Sequence, residues 1–390
     1  MQAQATFFTR RAFTSVITAR TSKQRITAIR RTLHRLATAA VVLSLASSPL
    51  IASAELYEFP PADGASGESR LLTVYGSMDI ASARPLIEHF LRETPGVGLA
   101  YHELDTLEIY AAVVDGLQRD EAPADVLLSP AMDLQVKLAN DGYVRQYQPS
   151  RADALPKWSQ WRNEVFGFSF EPAVVVYNKN ALDEDDVPTT RDELRRLLLD
   201  REEMLYGRVA TYDIERSGLG FLFLTQDAER SEEIWQLVGA LGNSSVRLYT
   251  NTAAMLDLIS SERFVLGYNL LGSYAMSRAE DDENLGIMFS RDYTLAMVRT
   301  AVLPRNSLEP ELANQFLEFL LSPGGQQTLA SSAGLYALDP DVSGTFTAAN
   351  LGRLAPSIVP IRMSPALMVY LDRAKRQKVL GKWQSALNSQ

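Results

Sequence analysis

The stretch Leu71-Leu-Thr-Val-Tyr-Gly-Ser-Met-Asp79 decides how this chain folds. Its first five residues form a short apolar run, which is typical of a buried parallel strand, and a loop begins at Gly76. An amphipathic helix follows. Its apolar residues recur at the spacing of one helix face and are Ala83, Leu86, Ile87, Phe90 and Leu91. The stretch therefore predicts a strand, a loop and a helix in that order.

The same order occurs twice more. The pattern predicts strands at 97–101 and 124–128, and helices at 107–117 and 134–138. Three strand–loop–helix units indicate an α/β fold, with a parallel sheet and helices on both of its faces. In such sheets ligands bind beyond the carboxyl ends of the strands.

Polar side chains follow each of the three strands. Ser77 and Thr106 offer hydroxyls to an anion, although Thr106 equally suits a helix cap. Asp79 suits an ammonium group or a metal, or caps the helix that follows it. Ser129 comes directly after the third strand. These four residues are candidate ligand-binding residues.

The second half of the chain repeats the alternation of strands and helices. The extended stretch 166–179 is long enough to cross into another lobe, and 293–303 is β-rich and suited to return from it. Between them lies Asp213-Ile-Glu-Arg-Ser-Gly218, where Arg216 could bind a carboxylate or phosphate bidentately or pair with a neighbouring acid on the surface. Ser217 opens the next helix and is a further candidate.

The first 54 residues carry a targeting signal. They contain eight Arg or Lys and no Asp or Glu, and an apolar run over 36–46 ends in Ala52-Ser-Ala54. This order predicts a secretory signal peptide at 1–54, a mature chain from Glu55, and export to the periplasm. Residues 55–69, rich in Gly, Ala and Pro, predict a flexible lead-in.

Composition narrows the function further. Beyond residue 54, 30 basic residues face 47 acidic ones, a net charge of −17, which disfavours nucleic acid. The chain has no Cys and three His, so thiol catalysis, Cys-based zinc sites and His-rich metal sites are excluded. No spacing of carboxylates singles out an acid/base pair. We therefore expect no catalytic residue, no cofactor and no enzyme activity.

Several stretches together resemble the extracytoplasmic solute-binding proteins of ABC transporters, in the branch that includes iron(III)-binding proteins. The similar stretches are Leu72-Thr-Val-Tyr-Gly-Ser77, Pro123-Ala-Asp-Val126, Gly167-Phe-Ser-Phe170, Val176-Tyr-Asn-Lys179, Gly267-Tyr-Asn269 with Tyr274, and Ala313-Asn-Gln-Phe316 with Leu320-Leu-Ser-Pro-Gly-Gly-Gln326. They span about residues 71–335. Within the branch, the chain is also similar to proteins grouped with phosphoglycerate-transport regulators, which serve a sensor kinase.

The resemblance implies a type II periplasmic-binding fold, with two α/β lobes, two crossover strands and a ligand cleft that closes like a hinge. Lobe 1 is then expected at 70–168 and 294–390, and lobe 2 at 169–293. The family places Tyr268, Asn269 and Tyr274 in a second-lobe loop that faces the cleft. Iron(III) binders have adjacent tyrosines there, whereas Ala275 follows Tyr274 in this chain.

Together these observations predict a monomeric periplasmic protein that binds a small anionic solute. Phosphonates, phosphorylated compounds and carboxylates are the expected solutes, and an ABC permease or a membrane sensor kinase is the expected partner. Iron(III), held by Tyr268 or Tyr274 as a phenolate, is one alternative. A secreted hydrolase that uses carboxylates and a signalling adaptor that binds no ligand are the others.

Overall fold

The computed structural model describes residues 55–62, 70–119 and 121–388. The predicted signal peptide lies outside the described residues. The described strands are β1 (Glu55–Phe59), β2 (Arg70–Gly76), β3 (Val97–Glu103), β4 (Val126–Ser129), β5 (Gln160–Trp161), β6 (Val165–Asn178), β7 (Val209–Tyr212), β8 (Arg247–Tyr249), β9 (Leu266–Leu271), β10 (Leu285–Met288), β11 (Thr294–Val302) and β12 (Ile358–Pro360).

Helices connect most of these strands. The described α-helices are α1 (Ile80–Glu93), α2 (Thr106–Gln118), α3 (Met132–Asn140), α4 (Arg191–Asp200), α5 (Glu202–Leu205), α6 (Gly218–Arg230), α7 (Ile234–Asn243), α8 (Thr252–Ser260), α9 (Gly272–Asp281), α10 (Pro310–Leu321), α11 (Pro323–Ser331), α12 (Ala348–Leu354) and α13 (Arg373–Leu387). The predicted α/β class is confirmed.

The sheet is mixed rather than wholly parallel. One half of the sheet, which we call the first half-sheet, contains β2, β3 and β4, and these strands are parallel to one another. Strand β11 is antiparallel to both β4 and β6. The other half, which we call the second half-sheet, contains β7, β8 and β9, and these strands are also parallel. The second half of the protein is this half-sheet with the helices that pack on it. The antiparallel pairs arise because the chain crosses between the half-sheets along β6 and comes back along β11.

Strand β6 joins the two half-sheets. Its residues 166–172 pair with β11, and its residues 173–178 pair with β9 and β10. All 14 of its residues are buried, which explains its nearly continuous apolar sequence. Strand β11 pairs with β4 at its far end, so the β-rich segment does return to the first half-sheet as predicted.

Two expectations about the chain ends require correction. The start of the predicted flexible lead-in is strand β1, which pairs antiparallel with β3 because backbone groups at the edge of β3 accept another strand. The end of predicted lobe 1 is helix α13, which packs on α7 of the second half. Its Val379 and Trp383 are buried in that apolar core, and Gly242 leaves room for the backbone at Leu387. The remaining lobe boundaries stay a prediction.

Candidate ligand site

The loop after β2 is fixed by two side chains of β3. The Tyr101 hydroxyl donates to the Met78 carbonyl at 2.7 Å and accepts the Met78 amide at 3.1 Å. The Glu103 carboxylate accepts the Ile80 amide at 3.0 Å. A Cβ at Gly76 would overlap the Tyr101 ring, so a glycine at this position lets the ring lie beneath the loop.

A buried ion pair lies where the two long strands run side by side. Arg299 of β11 and Glu171 of β6 are almost fully buried, and the Arg299 Nε lies 3.3 Å from the Glu171 Oε1. Ser169 and Ser273 donate hydrogen bonds to the same carboxylate. Burial raises the pKa of Glu171. Burial also lowers the pKa of Arg299, but the neighbouring Tyr274, Glu171 and Asp79 outweigh this effect and raise the pKa of Arg299 above its usual value. The guanidinium is therefore charged at every physiological pH.

The outer nitrogens of this guanidinium are unsatisfied. Nη1 and Nη2 of Arg299 are buried and have no hydrogen-bond partner among the described residues, and the same holds for the Ser77 Oγ. The sheet links Ser77 to the strand of Arg299: the Ser77 amide bonds to the Leu128 carbonyl of β4 at 3.2 Å, and the next residue, Ser129, pairs with Thr300, the neighbour of Arg299. Buried donors without acceptors are costly. An anion with two oxygens would satisfy them.

Three buried tyrosines lie within the electrostatic influence of the Arg299 guanidinium. Its Cζ lies 5.0 Å from the ring centroid of Tyr274, a residue in the first turn of α9. Burial raises the pKa values of Tyr101, Tyr212 and Tyr274, and the charge of Arg299 counters that rise in all three. All three hydroxyls are thus neutral hydrogen-bonding groups. We call Ser77, Asp79, Tyr101, Tyr274 and Arg299 the Arg299 cluster.

Two hydrogen bonds join the two halves, one of them within this cluster. The Asp79 amide donates to the Tyr274 hydroxyl at 3.1 Å. The Gly218 amide, at the start of α6, donates to the Thr106 Oγ1 at 2.9 Å. Thr106 thus contacts the other half, while Asp105 caps α2. These contacts join the loop after β2 and the start of α2 to the second half.

Two acidic residues lie on the β2 side of the cluster. Asp79 occupies the N-cap position of α1, yet its carboxylate makes no capping hydrogen bond. Burial raises the pKa of Asp79. Burial first, and then the charge of Asp79, raises the pKa of Glu103 to about 7. Neither acid has a salt-bridge partner in the described ranges.

The other predicted candidates are not members of this cluster, although Ser129 pairs with Thr300, the neighbour of Arg299. Ser217 is buried and caps α6 by accepting the Gly220 amide, and the Ser129 Oγ accepts the Ala131 amide. Arg216 is exposed, and its positive charge opposes the burial that raises the pKa of Asp105. Of the nine candidates, Ser77, Asp79 and Tyr274 belong to the cluster, and Thr106 lies at the contact between the halves.

Tyr268 and Asn269 lie in strand β9 rather than in a loop, so that expectation is corrected. The Tyr268 hydroxyl accepts from the Arg191 Nε and donates to the Asp227 carboxylate, both at 3.0 Å. Asn269 donates to the same carboxylate at 2.9 Å. Burial holds the pKa of Tyr268 well above its usual value, so this phenol is a poor source of the phenolate that iron(III) requires. Both side chains belong to a buried network of the second half.

Sequence reasoning missed Arg299 and Glu171. Each is a single charge within an apolar strand, in Leu295-Ala-Met-Val-Arg-Thr-Ala-Val302 and in Phe166-Gly-Phe-Ser-Phe-Glu-Pro-Ala-Val174. Because charges are rarely buried alone, two such strands could have suggested a pair. Their register could not be read from the sequence, since the residues are 128 positions apart.

Metal and membrane features are also informative. In the part of the chain that the structure describes, no group of three or more His, Cys, Asp or Glu residues could hold a metal ion. Within the same ranges, no helix is both long and apolar enough to cross a membrane.

Comparison with known proteins identifies the family. The model of the bacterial extracellular solute-binding proteins matches residues 86–350, more than half of the chain. The chain therefore belongs to this family of periplasmic solute-binding proteins of ABC transporters, and its fold is the type II periplasmic-binding fold.

Individual relatives agree with this assignment. The chain is 39% identical to the substrate-binding protein of an ABC transporter from Agrobacterium tumefaciens, with a TM-score of 0.82, covering 86% of this chain and 99% of that one. It is 27% identical to the thiamine-binding periplasmic protein of Escherichia coli over 61% of this chain and 68% of the relative. Iron-bound HitA from Pseudomonas aeruginosa, 20% identical with a TM-score of 0.63 over 81% of this chain and 99% of that one, shares the fold.

Proposed function

We propose that this protein captures a small solute through an anionic group held by Arg299 and Ser77, and delivers the solute to an ABC permease. The observation that carries the proposal is the pair of unpartnered nitrogens on a buried guanidinium. A carboxylate, phosphonate or phosphate would accept from both nitrogens at once, and the Ser77 hydroxyl would donate to a further oxygen.

The position of the cluster supports a hinge mechanism. The donors lie on the loop after β2 and on crossing strand β11, whereas Tyr274 belongs to the second half. A solute held here would touch both halves. A solute stabilises the arrangement of the two halves in which it makes more contacts. Here that would be the arrangement in which the Gly218 amide bonds to Thr106. Within the same proposal, a membrane sensor kinase is the second partner that would recognise this arrangement.

Thiamine enters as a second candidate because the curated relatives are thiamine-binding proteins. Thiamine carries a positive charge and no acid group, whereas thiamine monophosphate carries both. Binding through Arg299 predicts that the monophosphate binds more tightly than thiamine.

A thermal-shift screen of the chain from Glu55 tests the proposal. The panel contains phosphonates, phosphoglycerates, di- and tricarboxylates, thiamine and its monophosphate, sugars, polyamines and ferric citrate. A solute at 100 times its dissociation constant adds about 2.7 kcal/mol, which corresponds to several degrees. We expect shifts with members that carry an acid group. Shifts only with sugars or polyamines would contradict the proposal, and a ferric charge-transfer colour would favour iron.

A further inference from the structure

The partly buried Asp79 carboxylate makes no capping hydrogen bond at a position where carboxylates normally make one. An Asp at an N-cap usually accepts an amide of the first helical turn. Here Ser82 and Ala83 donate to the Asp79 carbonyl, and Ile80 donates to Glu103. No described residue donates a hydrogen bond to the Asp79 carboxylate, and it caps nothing in α1. Helix capping therefore does not explain this residue.

Negative charges lie near one another around Glu103. Burial and then the charge of Asp79 raise the pKa of Glu103, and Glu55 adds a third negative charge there. Burial and the charge of Asp257 raise the pKa of Asp79, whereas Arg299 and Arg278 lower it without forming an ion pair with it. A cation placed beside Asp79 would relieve this repulsion.

The acidic side and the guanidinium share one tyrosine. The Tyr274 hydroxyl accepts the Asp79 amide, and its ring lies 5.0 Å from the Arg299 Cζ. The unpartnered nitrogens of buried Arg299 and the uncapping carboxylate of Asp79 therefore lie at two ends of the arrangement around Tyr274. One end accepts an anion and the other accepts a cation.

We infer that the solute is bipolar, with its anionic group at Arg299 and Ser77 and a protonated amine or quaternary nitrogen at Asp79 and Glu103. This inference rests on the proposed anion site and adds the second charge of the ligand. Zwitterionic amino acids, aminoalkylphosphonates and phosphorylated organic cations satisfy both ends. Simple carboxylates and alkylphosphonates satisfy only one.

Matched ligand pairs test the inference by isothermal titration at pH 8. Each pair shares its acid group and differs in its nitrogen: aminoalkylphosphonates against alkylphosphonates, and amino acids against the parent acids. Thiamine monophosphate and thiamine form the opposite pair, which differs in the acid group. We expect the bipolar member of the best-bound pair to bind at least about tenfold more tightly, as one charge-assisted contact provides.

Two variants connect that difference to the acidic end. Asp79→Asn should reduce the affinity for the bipolar member about tenfold while leaving its amine-free partner within about threefold of wild type. Glu88→Gln is the matched control, since Glu88 is exposed on the same helix, and it should change neither affinity.

The outcomes separate this inference from the proposed function. If amine-free acids bind as tightly as bipolar ones, or if Asp79→Asn leaves the ratio unchanged, the bipolar inference is wrong and the anion site stands. If no member with an acid group binds, the anion site fails and the inference fails with it.

Discussion

Replacement of Arg299 should abolish solute binding even when the fold is preserved. Two charge-assisted hydrogen bonds from Nη1 and Nη2, each worth about 1.5–3 kcal/mol, hold the anion in the proposed site. Their loss should weaken binding by about 3 kcal/mol or more, which is at least about a hundredfold in the dissociation constant. Isothermal titration with the solute found by the screen measures this directly.

The single variant also affects folding. Arg299→Gln leaves the buried Glu171 carboxylate without its partner, and breaking a buried pair costs about 3–5 kcal/mol. The double variant Glu171→Gln with Arg299→Gln removes both charges together. We expect urea unfolding to show a stability near wild type for the double variant, and titration to show the same loss of affinity as for the single one.

Glu171→Gln alone and Arg196→Gln complete the set. Glu171→Gln frees the guanidinium from its only ion pair within the described ranges, so the solute should bind at least as tightly as to wild type. Arg196 is exposed and pairs with Asp192, and its substitution controls for the loss of one positive charge. The reasoning is refuted if the double variant is as stable as wild type and binds the solute with wild-type affinity.

Further predictions concern residues outside the Arg299 cluster. Asp133 is buried, its Oδ1 is unpartnered and burial raises its pKa to about 7, so ionisation destabilises the fold as pH rises from about 4 to 7. Asp133→Asn should raise the free energy of unfolding at pH 8 by up to about 4 kcal/mol and change it little at pH 4; equal effects at both pH values in urea unfolding would contradict this. Gly218→Ala places a Cβ 2.9 Å from the Thr106 Oγ1, so solute affinity in titration should fall about tenfold, and an unchanged value would show that the contact does not assist binding. Tyr268→Phe loses two buried hydrogen bonds and should lower the melting temperature without changing affinity, whereas a selective loss of affinity would place Tyr268 in the site. Arg216→Ala should change affinity less than about threefold, because that side chain is exposed; a larger loss would extend the site to the start of α6.

Local patterns predicted most of the fold. The apolar run at β2 and the helical spacing of α1 depend on burial by near neighbours in sequence, so they could be read directly. Strand β1 was missed because its formation depends on pairing with β3, about 40 residues later, and its flanking prolines suggested a loop. Helix α13 was placed in the wrong half because its few apolar residues do not show which core they join.

The site was predictable only in part. Ser77 and Asp79 follow a strand, and the rule that ligands bind at strand ends identified them. Arg299 lies inside a strand, where local reasoning expects only packing. Asn269 adopts a φ of 62° within β9, a conformation that interrupts regular strand geometry, and no alternating pattern predicts it. These positions depend on contacts between distant segments.

A crystal structure of the protein with the solute identified by the screen tests the central claim most directly. We predict that the acid group of the solute lies within hydrogen-bonding distance of Nη1 and Nη2 of Arg299 and of the Ser77 Oγ. A solute bound elsewhere, with the outer nitrogens of Arg299 still unpartnered, would contradict the account.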